Sequence, residues 1–155
     1  MRPQTFVFFG IIGSGKGTQV KFLMDYVKEK TGGKMLYAGT GDEFRKLISS
    51  EIYTAKRVKE SIEKGELQPD FLTTTLFTNI LVNSLEEEEF LFADGYPRTV
   101  RQSESFCSMM KFYKRTDIKI IYIKISEKEA MERNLLRGRS DDTKEGIEKR
   151  IEEYK

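Results

Sequence analysis

The chain has 155 residues, which suits one compact domain spanning 1–155 and leaves no room for a second full domain. With 27 Lys and Arg against 25 Asp and Glu, the formal charge is +2, too balanced to indicate a nucleic acid or a membrane surface as a partner. A single cysteine and no histidine exclude an internal disulfide and a Cys/His zinc site, so no zinc is expected. No stretch is apolar enough for a membrane span or a signal peptide, which predicts a cytoplasmic protein.

The first predicted strand is an apolar run from Phe6 that stops at Gly10 and leads into a loop of small residues. Gly10, Gly15, Lys16 and Thr18 fit a phosphate-binding loop between a strand and a helix, with the hydroxyl residue displaced by one position from its usual place after the lysine. Backbone N–H groups and the lysine would bind phosphate oxygens, and Thr18 could hold Mg²⁺. The alternative is a glycine-rich turn without a ligand, which the buried strand and the amphipathic helix around it disfavour.

The remaining elements alternate between helix and strand. In chain order they are a helix that ends at Thr31-Gly-Gly33, a strand over 34–38, a charged helix over 42–64, a helix capped by Asp70, a strand over 90–94, a helix over 100–110, a strand over 118–125, a helix over 127–137, and a helix over 142–154 that Asp142 caps. This alternation predicts an α/β fold in which a parallel sheet is flanked by helices, with ligands beyond the carboxyl ends of the strands.

The single cysteine falls within the helix predicted over 100–110. Because Cys107 is close in sequence to Phe106 and Met110, we expect it on their helix face, in the core, rather than as a nucleophile.

Polar residues follow the third predicted strand. A carboxylate at Asp94 would lie near Thr18 and could hold a metal ion through water, although Asp-Gly is also an ordinary turn. Arg98 and Gln102 lie one helical turn apart and would present a phosphate-binding fork beside an amide, which suits an adenine edge. At a surface such a pair usually has no function, but its position beside Asp94 favours ligand contact.

Four arginines near the end of the chain form a second candidate group. Arg133 and Arg137 share a helix face, and Arg139 and Arg150 follow. Arginine is typical of bidentate phosphate binding. The alternative is a solvated helix surface, since neighbouring glutamates could pair with each arginine for well under ~1 kcal/mol.

Taken together, these motifs resemble those of the adenylate kinases. The matching stretches are Gly13-Ser-Gly-Lys-Gly-Thr-Gln19, Thr40-Gly-Asp-Glu-Phe-Arg45, Gly65-Glu-Leu-Gln-Pro-Asp70, Asp94-Gly-Tyr-Pro-Arg-Thr99 with Gln102, and Arg139-Ser-Asp-Asp142 followed by Lys149-Arg150. The resemblance runs from residue 6 to residue 154. It implies a P-loop NTPase fold with a small helical NMP-binding insertion at 39–68, a minimal lid at 137–140, and a monomer.

The resemblance also assigns the site residues. It implies that ATP is bound by Gly13, Ser14, Gly15, Lys16, Gly17, Thr18, Arg133 and Arg137. It implies that AMP is bound by Thr40, Arg45, Glu66, Leu67, Gln68, Gly95, Tyr96, Pro97, Arg98, Gln102, Arg139 and Arg150. Catalysis would fall to Lys16, Asp94, Arg98, Arg139 and Arg150, with Mg²⁺ held by Thr18 and Asp94, and with no protein nucleophile.

The reaction implied is transfer of the γ-phosphoryl group of ATP to AMP, giving two ADP. Thr40 and Gln102 are the choices typical of AMP enzymes, whereas relatives that act on UMP or CMP differ at both positions. A UMP/CMP-type kinase and a nucleotide-binding module with little turnover stay open as alternatives.

The chain departs from the family in two places. Only Gly138 separates Arg137 from Arg139, so we expect water to be excluded poorly from the phosphates, with either a raised ATPase side reaction or slower phosphoryl transfer. The family's fifth strand is absent, and only four strands are readable. The strand at 118–125 would then be an exposed apolar edge, and we expect either that the chain is part of a longer protein or that it self-associates through this edge.

Overall fold

The computed structural model describes residues 3–64, 66–138 and 143–154. The elements in chain order are β1 (Thr5–Phe9), α1 (Lys16–Thr31), β2 (Met35–Gly39), α2 (Thr40–Ile48), α3 (Tyr53–Glu63), α4 (Asp70–Ser84), β3 (Phe90–Asp94), α5 (Val100–Phe112), β4 (Ile118–Tyr122), α6 (Glu127–Arg137) and α7 (Lys144–Glu152). The four strands form one parallel sheet in the order β2-β3-β1-β4. The predicted α/β fold is confirmed. No helix within the described ranges is long and apolar enough to cross a membrane.

The two central strands, β1 and β3, are buried on both faces. Their side chains alternate between the faces, as the two-residue repeat of a strand requires. One face packs under α4 and α5, where the buried residues include Val7, Leu91, Ala93, Phe77 and Met110. The other face packs under α1, with Phe6, Phe8, Phe90, Phe92 and Val20. The sheet is therefore the middle layer of a three-layer fold, and its central strands are held by packing on both faces.

The predicted helix over 42–64 is wrong as a single element. The structure has two helices there, because α2 ends at Ile48 and α3 begins at Tyr53. The hydroxyl groups of Ser49 and Ser50 donate to the backbone carbonyls of Lys46 and Leu47 at 2.7 Å each. Such local bonds compete with continued helix and end α2.

Both predicted N-caps are off by one residue. Pro69 occupies the cap of α4, and Asp70 is the first helical residue, with its carboxylate used elsewhere. Thr143 caps α7, accepting a hydrogen bond from the Gly146 N–H, whereas the predicted cap, Asp142, lies outside the described residues. Helix α1 does end at Thr31, followed by Gly32 at φ 65°, as predicted.

The prediction that Cys107 is a core residue is wrong. Phe106 and Met110 are buried, but Cys107 is exposed. Residues four apart share a helix face, while the next residue is turned by about 100° around the axis. Cys107 thus falls beyond the edge of the buried stripe.

The strand β4 lies at one edge of the sheet, and among the described residues it pairs only with β1. It ends at Tyr122, three residues before the predicted end. The side chains of Ile120 and Tyr122 are 70% and 58% exposed. The expectation of an exposed apolar edge strand therefore holds for these residues.

A buried arginine joins the amino-terminal ends of the central strands. Arg115 Nε donates to Thr5 Oγ1 at 2.8 Å, and its Nη2 donates to the backbone carbonyls of Gln4 at 3.1 Å and Glu89 at 2.6 Å. No sequence pattern indicates this role. Burial lowers the pKa of the Arg115 guanidinium, and Glu89 partly offsets the effect.

Replacing Arg115 with methionine is expected to lower the free energy of unfolding by about 3 kcal/mol, because two buried acceptors and one partly buried acceptor lose a charged donor. Urea denaturation of the two proteins measures this difference. Arg101→Met, at an exposed position of α5, is the matched control and should change stability little. Equal stabilities of the two variants would contradict the role given to Arg115.

Candidate functional site

The loop between β1 and α1 is packed against α6. Gly13 has φ 74°, and a Cβ at this position would lie 2.4 Å from Asn134 Nδ2 and 2.9 Å from the Ala130 carbonyl oxygen. Only glycine fits this backbone and this close approach. Asn134 is fully buried and its Oδ1 has no hydrogen-bond partner within the described part of the chain, as is true of Ser14 Oγ in the loop itself. The loop is thus held in place by its packing against α6.

Lys16 begins α1 and reaches back over this loop. Its Nζ donates to the carbonyl oxygens of Gly10 at 2.5 Å and Ile11 at 3.0 Å. Burial lowers the pKa of the Lys16 ammonium to about 8; Asp94 opposes this shift, and the positive charges of Arg98 and Arg137 add to it. Lys16 therefore feels the charges of two other cations, an environment that favours an anionic ligand such as a phosphate group.

Asp94 ends β3 beside the start of α1. Its Oδ2 lies 3.8 Å from the point that a Cβ on Gly17 would occupy, one residue before Thr18. The same oxygen accepts a hydrogen bond of 3.1 Å from the Tyr37 hydroxyl. Burial and the charges of Asp94 and Asp42 raise the pKa of Tyr37 well above its usual range, so the phenol remains a donor.

These oxygens suit a hard cation. Mg²⁺ prefers oxygen ligands and is usually held by one or two carboxylates together with water and substrate phosphates. Asp94 and Thr18, at the end of β3 and in the first turn of α1, fit that donor set. Within the described ranges there is no group of three or more His, Cys, Asp and Glu side chains that could hold a metal ion.

One backbone carbonyl connects three of the residues predicted to bind AMP. Thr40 Oγ1 donates to the Gly95 oxygen at 3.0 Å, and Arg98 Nε donates to it at 2.9 Å. Gly95 has φ 79°, and a Cβ there would lie 2.8 Å from Thr40 Oγ1 and 3.0 Å from Arg98 Nη2. The bare backbone at Gly95 lets the ends of β2 and β3 meet.

Arg98 is exposed to solvent and lies near other charged side chains. Solvent reaches its side chain, yet protein atoms crowd the guanidinium and lower its pKa, an effect that Asp94 opposes and Arg150 increases. An arginine remains charged despite such a shift. The charge of Arg98 therefore acts on Lys16, and the charge of Arg150 acts on Arg98.

Gln102 is buried in a polar network rather than exposed to solvent. Its Oε1 accepts from the Arg98 N–H and its Nε2 donates to Asp70 Oδ1, both at 2.8 Å. Asp70 also accepts from Thr99 Oγ1 at 3.1 Å. The amide nitrogen and oxygen each keep one further hydrogen-bonding position, so contact with an adenine edge stays a prediction. The sequence pattern predicts only a helix cap at Asp70, so its part in this network is a feature that sequence reasoning missed.

The two residues between Gly95 and Arg98 are buried. Tyr96 is 0% exposed and stacks on Phe77 with ring centroids 4.3 Å apart, and its peptide bond to Pro97 is cis. The Tyr96 side chain is therefore a core side chain, and any contact with AMP would use its backbone.

The segment 66–68 contacts both α3 and α7. Glu66 pairs with Lys149 at 3.8 Å, and Gln68 Nε2 donates to Ser61 Oγ at 3.2 Å. Gln68 Oε1 is buried without a hydrogen-bond partner within the described part of the chain, whereas the Leu67 side chain is 40% exposed. On α2, Arg45 pairs with Asp42 and remains about half exposed.

A cavity lies beside Arg133, near the residues predicted to bind ATP. This cavity, of about 590 Å³, lies between the loop, α1 and the end of β4, and its lining includes Ser14, Gln19 and Ile123. Arg133 Nη2 pairs with Glu129 at 2.5 Å, as the solvated-helix alternative required, but its Nη1 also lies 3.8 Å from the Cβ position of Gly15. Arg139 lies outside the described residues.

Comparison with known proteins gives a consistent result. The family described as Adenylate kinase matches residues 8–155. The chain is 35% identical to the adenylate kinase of Parabacteroides distasonis over 153 residues, covering 96% of this chain and 76% of that protein. It is 34% identical to that of Corynebacterium glutamicum and 32% identical to that of Prochlorococcus marinus, each over 149 residues, with 96% of this chain and 78% and 77% of those proteins covered.

Replacing Gly95 with alanine is expected to weaken AMP binding by at least about tenfold, because the new methyl group separates Thr40 from Arg98. Isothermal titration calorimetry with AMP measures the loss, and ATP affinity should change little. Gly32→Ala is the matched control, since Gly32 also has positive φ but a Cβ there would meet nothing within 4 Å. It should lower stability by about 1 kcal/mol and leave AMP affinity unchanged. Equal AMP affinities in the two variants would contradict the role given to Gly95.

Proposed function

Because the chain belongs to the adenylate kinase family, we propose that its cleft aligns the γ-phosphoryl group of ATP with the phosphate of AMP. The chain is a phosphotransferase that gives two ADP from ATP and AMP. The observation that supports the residue assignments is the position of Asp94 beside the start of α1, where its Oδ2 lies 3.8 Å from the Cβ position of Gly17. The charges of Asp94, Arg98 and Arg137 also act on the Lys16 ammonium. Since the relatives reported above are named adenylate kinases, they support AMP rather than UMP or CMP, and turnover rather than binding alone.

The donor half of the site is the loop from Gly13 to Thr18. Its backbone N–H groups and the amino-terminal end of α1 would bind the β- and γ-phosphates of ATP. Lys16 would exchange its bonds to the Gly10 and Ile11 carbonyls for phosphate oxygens, which better compensate its charge. Arg133 would cover the adenine beside the cavity of about 590 Å³.

The acceptor half is the helical insertion at 39–68 together with the segment from Gly95 to Gln102. Arg98 and Arg45 would bind the AMP phosphate, and Gln102, held by Asp70, would offer its remaining positions to the adenine. Thr40 and the backbone around Leu67 would complete the pocket. The support is the shared hydrogen bonding of Thr40 and Arg98 to Gly95.

The chemistry needs no protein nucleophile. The attacking AMP oxygen is already anionic, so alignment of the two nucleotides and neutralisation of the spreading charge suffice. Lys16, Arg98, Arg139 and Arg150 would supply positive charge. Mg²⁺, held through water by Asp94 and Thr18, would neutralise the charge on the β- and γ-phosphates.

Arg98→Ala is expected to lower turnover by about a thousandfold, because the positive charge that would stabilise the transferring phosphoryl group is lost. A coupled assay of ADP formation measures turnover, and an unchanged circular dichroism spectrum would show that the fold survives. Arg101→Ala, three residues further along at an exposed position, is the control and should retain full activity. Near-normal phosphorylation of AMP by Arg98→Ala would overturn the role of Arg98.

The lid assigned to 137–140 is short, so we propose that it excludes water poorly. In the absence of AMP, the enzyme should therefore release ADP and phosphate from ATP at a raised rate. A phosphate-release assay, run beside a relative with a long lid, measures this side reaction. A background as low as that of the relative would contradict the proposal.

We place the enzyme in the cytoplasm, where its single cysteine stays reduced. The open edge of β4 would also allow two copies to pair through this strand, in contrast to the monomer typical of the family. Light scattering at rising protein concentration is expected to show association, and Ile120→Lys should abolish it, since Ile120 is exposed on that strand. A stable monomer at high concentration would exclude pairing through β4.

A further inference from the structure

Tyr37 and Gly39 occupy one face at the carboxyl end of β2. Residues two apart on a strand point to the same side of a sheet. The Tyr37 ring lies along that side, directly over Gly39: a Cβ on Gly39 would stand 2.4 Å from the phenol oxygen and 2.5 Å from both Cε1 and Cζ. The ring therefore occupies the space that any larger residue at position 39 would fill.

The backbone of Gly39 does not itself require glycine. Its φ of −101° and ψ of 107° belong to the extended region, which alanine adopts without strain. The missing side chain serves the tyrosine ring, not the turn from β2 into α2.

The position of the ring decides what the phenol reaches. In the register of the sheet, Gly39 is the partner of Asp94, so the last residues of β2 and β3 stand side by side. From its place over Gly39 the Tyr37 hydroxyl donates to Asp94 Oδ2 at 3.1 Å. That is the same oxygen that lies near the start of α1.

We propose that Tyr37 and Gly39 together position Asp94 for the Mg²⁺ that accompanies ATP: Gly39 leaves the space for the ring, and the phenol holds the carboxylate in one orientation. This inference rests on the proposed role of Asp94. Groups that orient a metal-binding carboxylate typically contribute about 10- to 100-fold to metal affinity. Tyr37 is a positioning residue, since it acts through Asp94.

The test compares ATP binding by calorimetry in the presence of Mg²⁺ and in the presence of EDTA. Tyr37→Phe keeps the ring and removes the hydroxyl, and Gly39→Ala pushes the ring away from Asp94. Each is expected to reduce the gain in ATP affinity that Mg²⁺ provides by about tenfold and to leave ATP affinity in EDTA unchanged. Because both changes remove one interaction, the double variant should lose no more than Gly39→Ala alone.

Two further variants separate the possible failures. Tyr26→Phe, at a tyrosine of α1 that is 58% exposed, should behave like the unmodified protein. Asp94→Asn should lose the gain from Mg²⁺. If Asp94→Asn loses the gain in ATP affinity from Mg²⁺ while Tyr37→Phe keeps it, the positioning role of Tyr37 is overturned and the proposed function stands. A lowered melting temperature of Tyr37→Phe together with a normal gain overturns the positioning role in the same way. If Asp94→Asn keeps the gain in ATP affinity from Mg²⁺, Asp94 does not hold the metal ion, and the positioning role of Tyr37 is overturned as well.

Discussion

The parallel register of three strands is the constraint on which the site depends. Phe8 of β1 lies opposite Asp94 of β3, and Asp94 lies opposite Gly39 of β2. All three strands therefore end along one line, and the segments that follow them begin side by side. The loop between β1 and α1, the turn at Gly95 and the start of α2 are neighbours for that reason, although they are far apart in sequence. A one-residue slip of β3 would turn Asp94 to the other face of the sheet.

The packing that holds these strands in place allows the site to concentrate positive charge. Burial of Lys16 near Arg98 and Arg137 is unfavourable in the protein alone, as the lowered pKa of the ammonium indicates. Packing of the central strands on both faces, and the buried Arg115 at their other ends, stabilise the frame that holds these groups together. Nucleotide phosphates would relieve the repulsion between these positive side chains. The folded chain therefore already holds the charges in place for binding.

Much of this arrangement could be predicted from sequence. The positions of Gly15 and Lys16 could be predicted because a phosphate-binding loop requires a fixed spacing between its residues. The position of Asp94 could be predicted because the end of an apolar run indicates the end of a strand. The bond between Tyr37 and Asp94 could not be predicted, because it depends on strand order and register. The hydrogen bond between Asp70 and Gln102 could not be predicted either, because an acidic residue at the start of a helix is also a common helix cap. The exposure of Cys107 depends on how wide the buried stripe of α5 is, which the spacing of Phe106 and Met110 alone does not decide.

The central claim is that one cleft aligns two nucleotides so that phosphate passes directly between them. The most direct measurement follows ATP, AMP and ADP together by ³¹P NMR during turnover with Mg²⁺. We expect ATP and AMP to disappear in equal amounts, two ADP to appear for each pair, and free phosphate to accumulate far more slowly. Consumption of ATP at a rate independent of AMP, with phosphate as the main product, would contradict direct transfer.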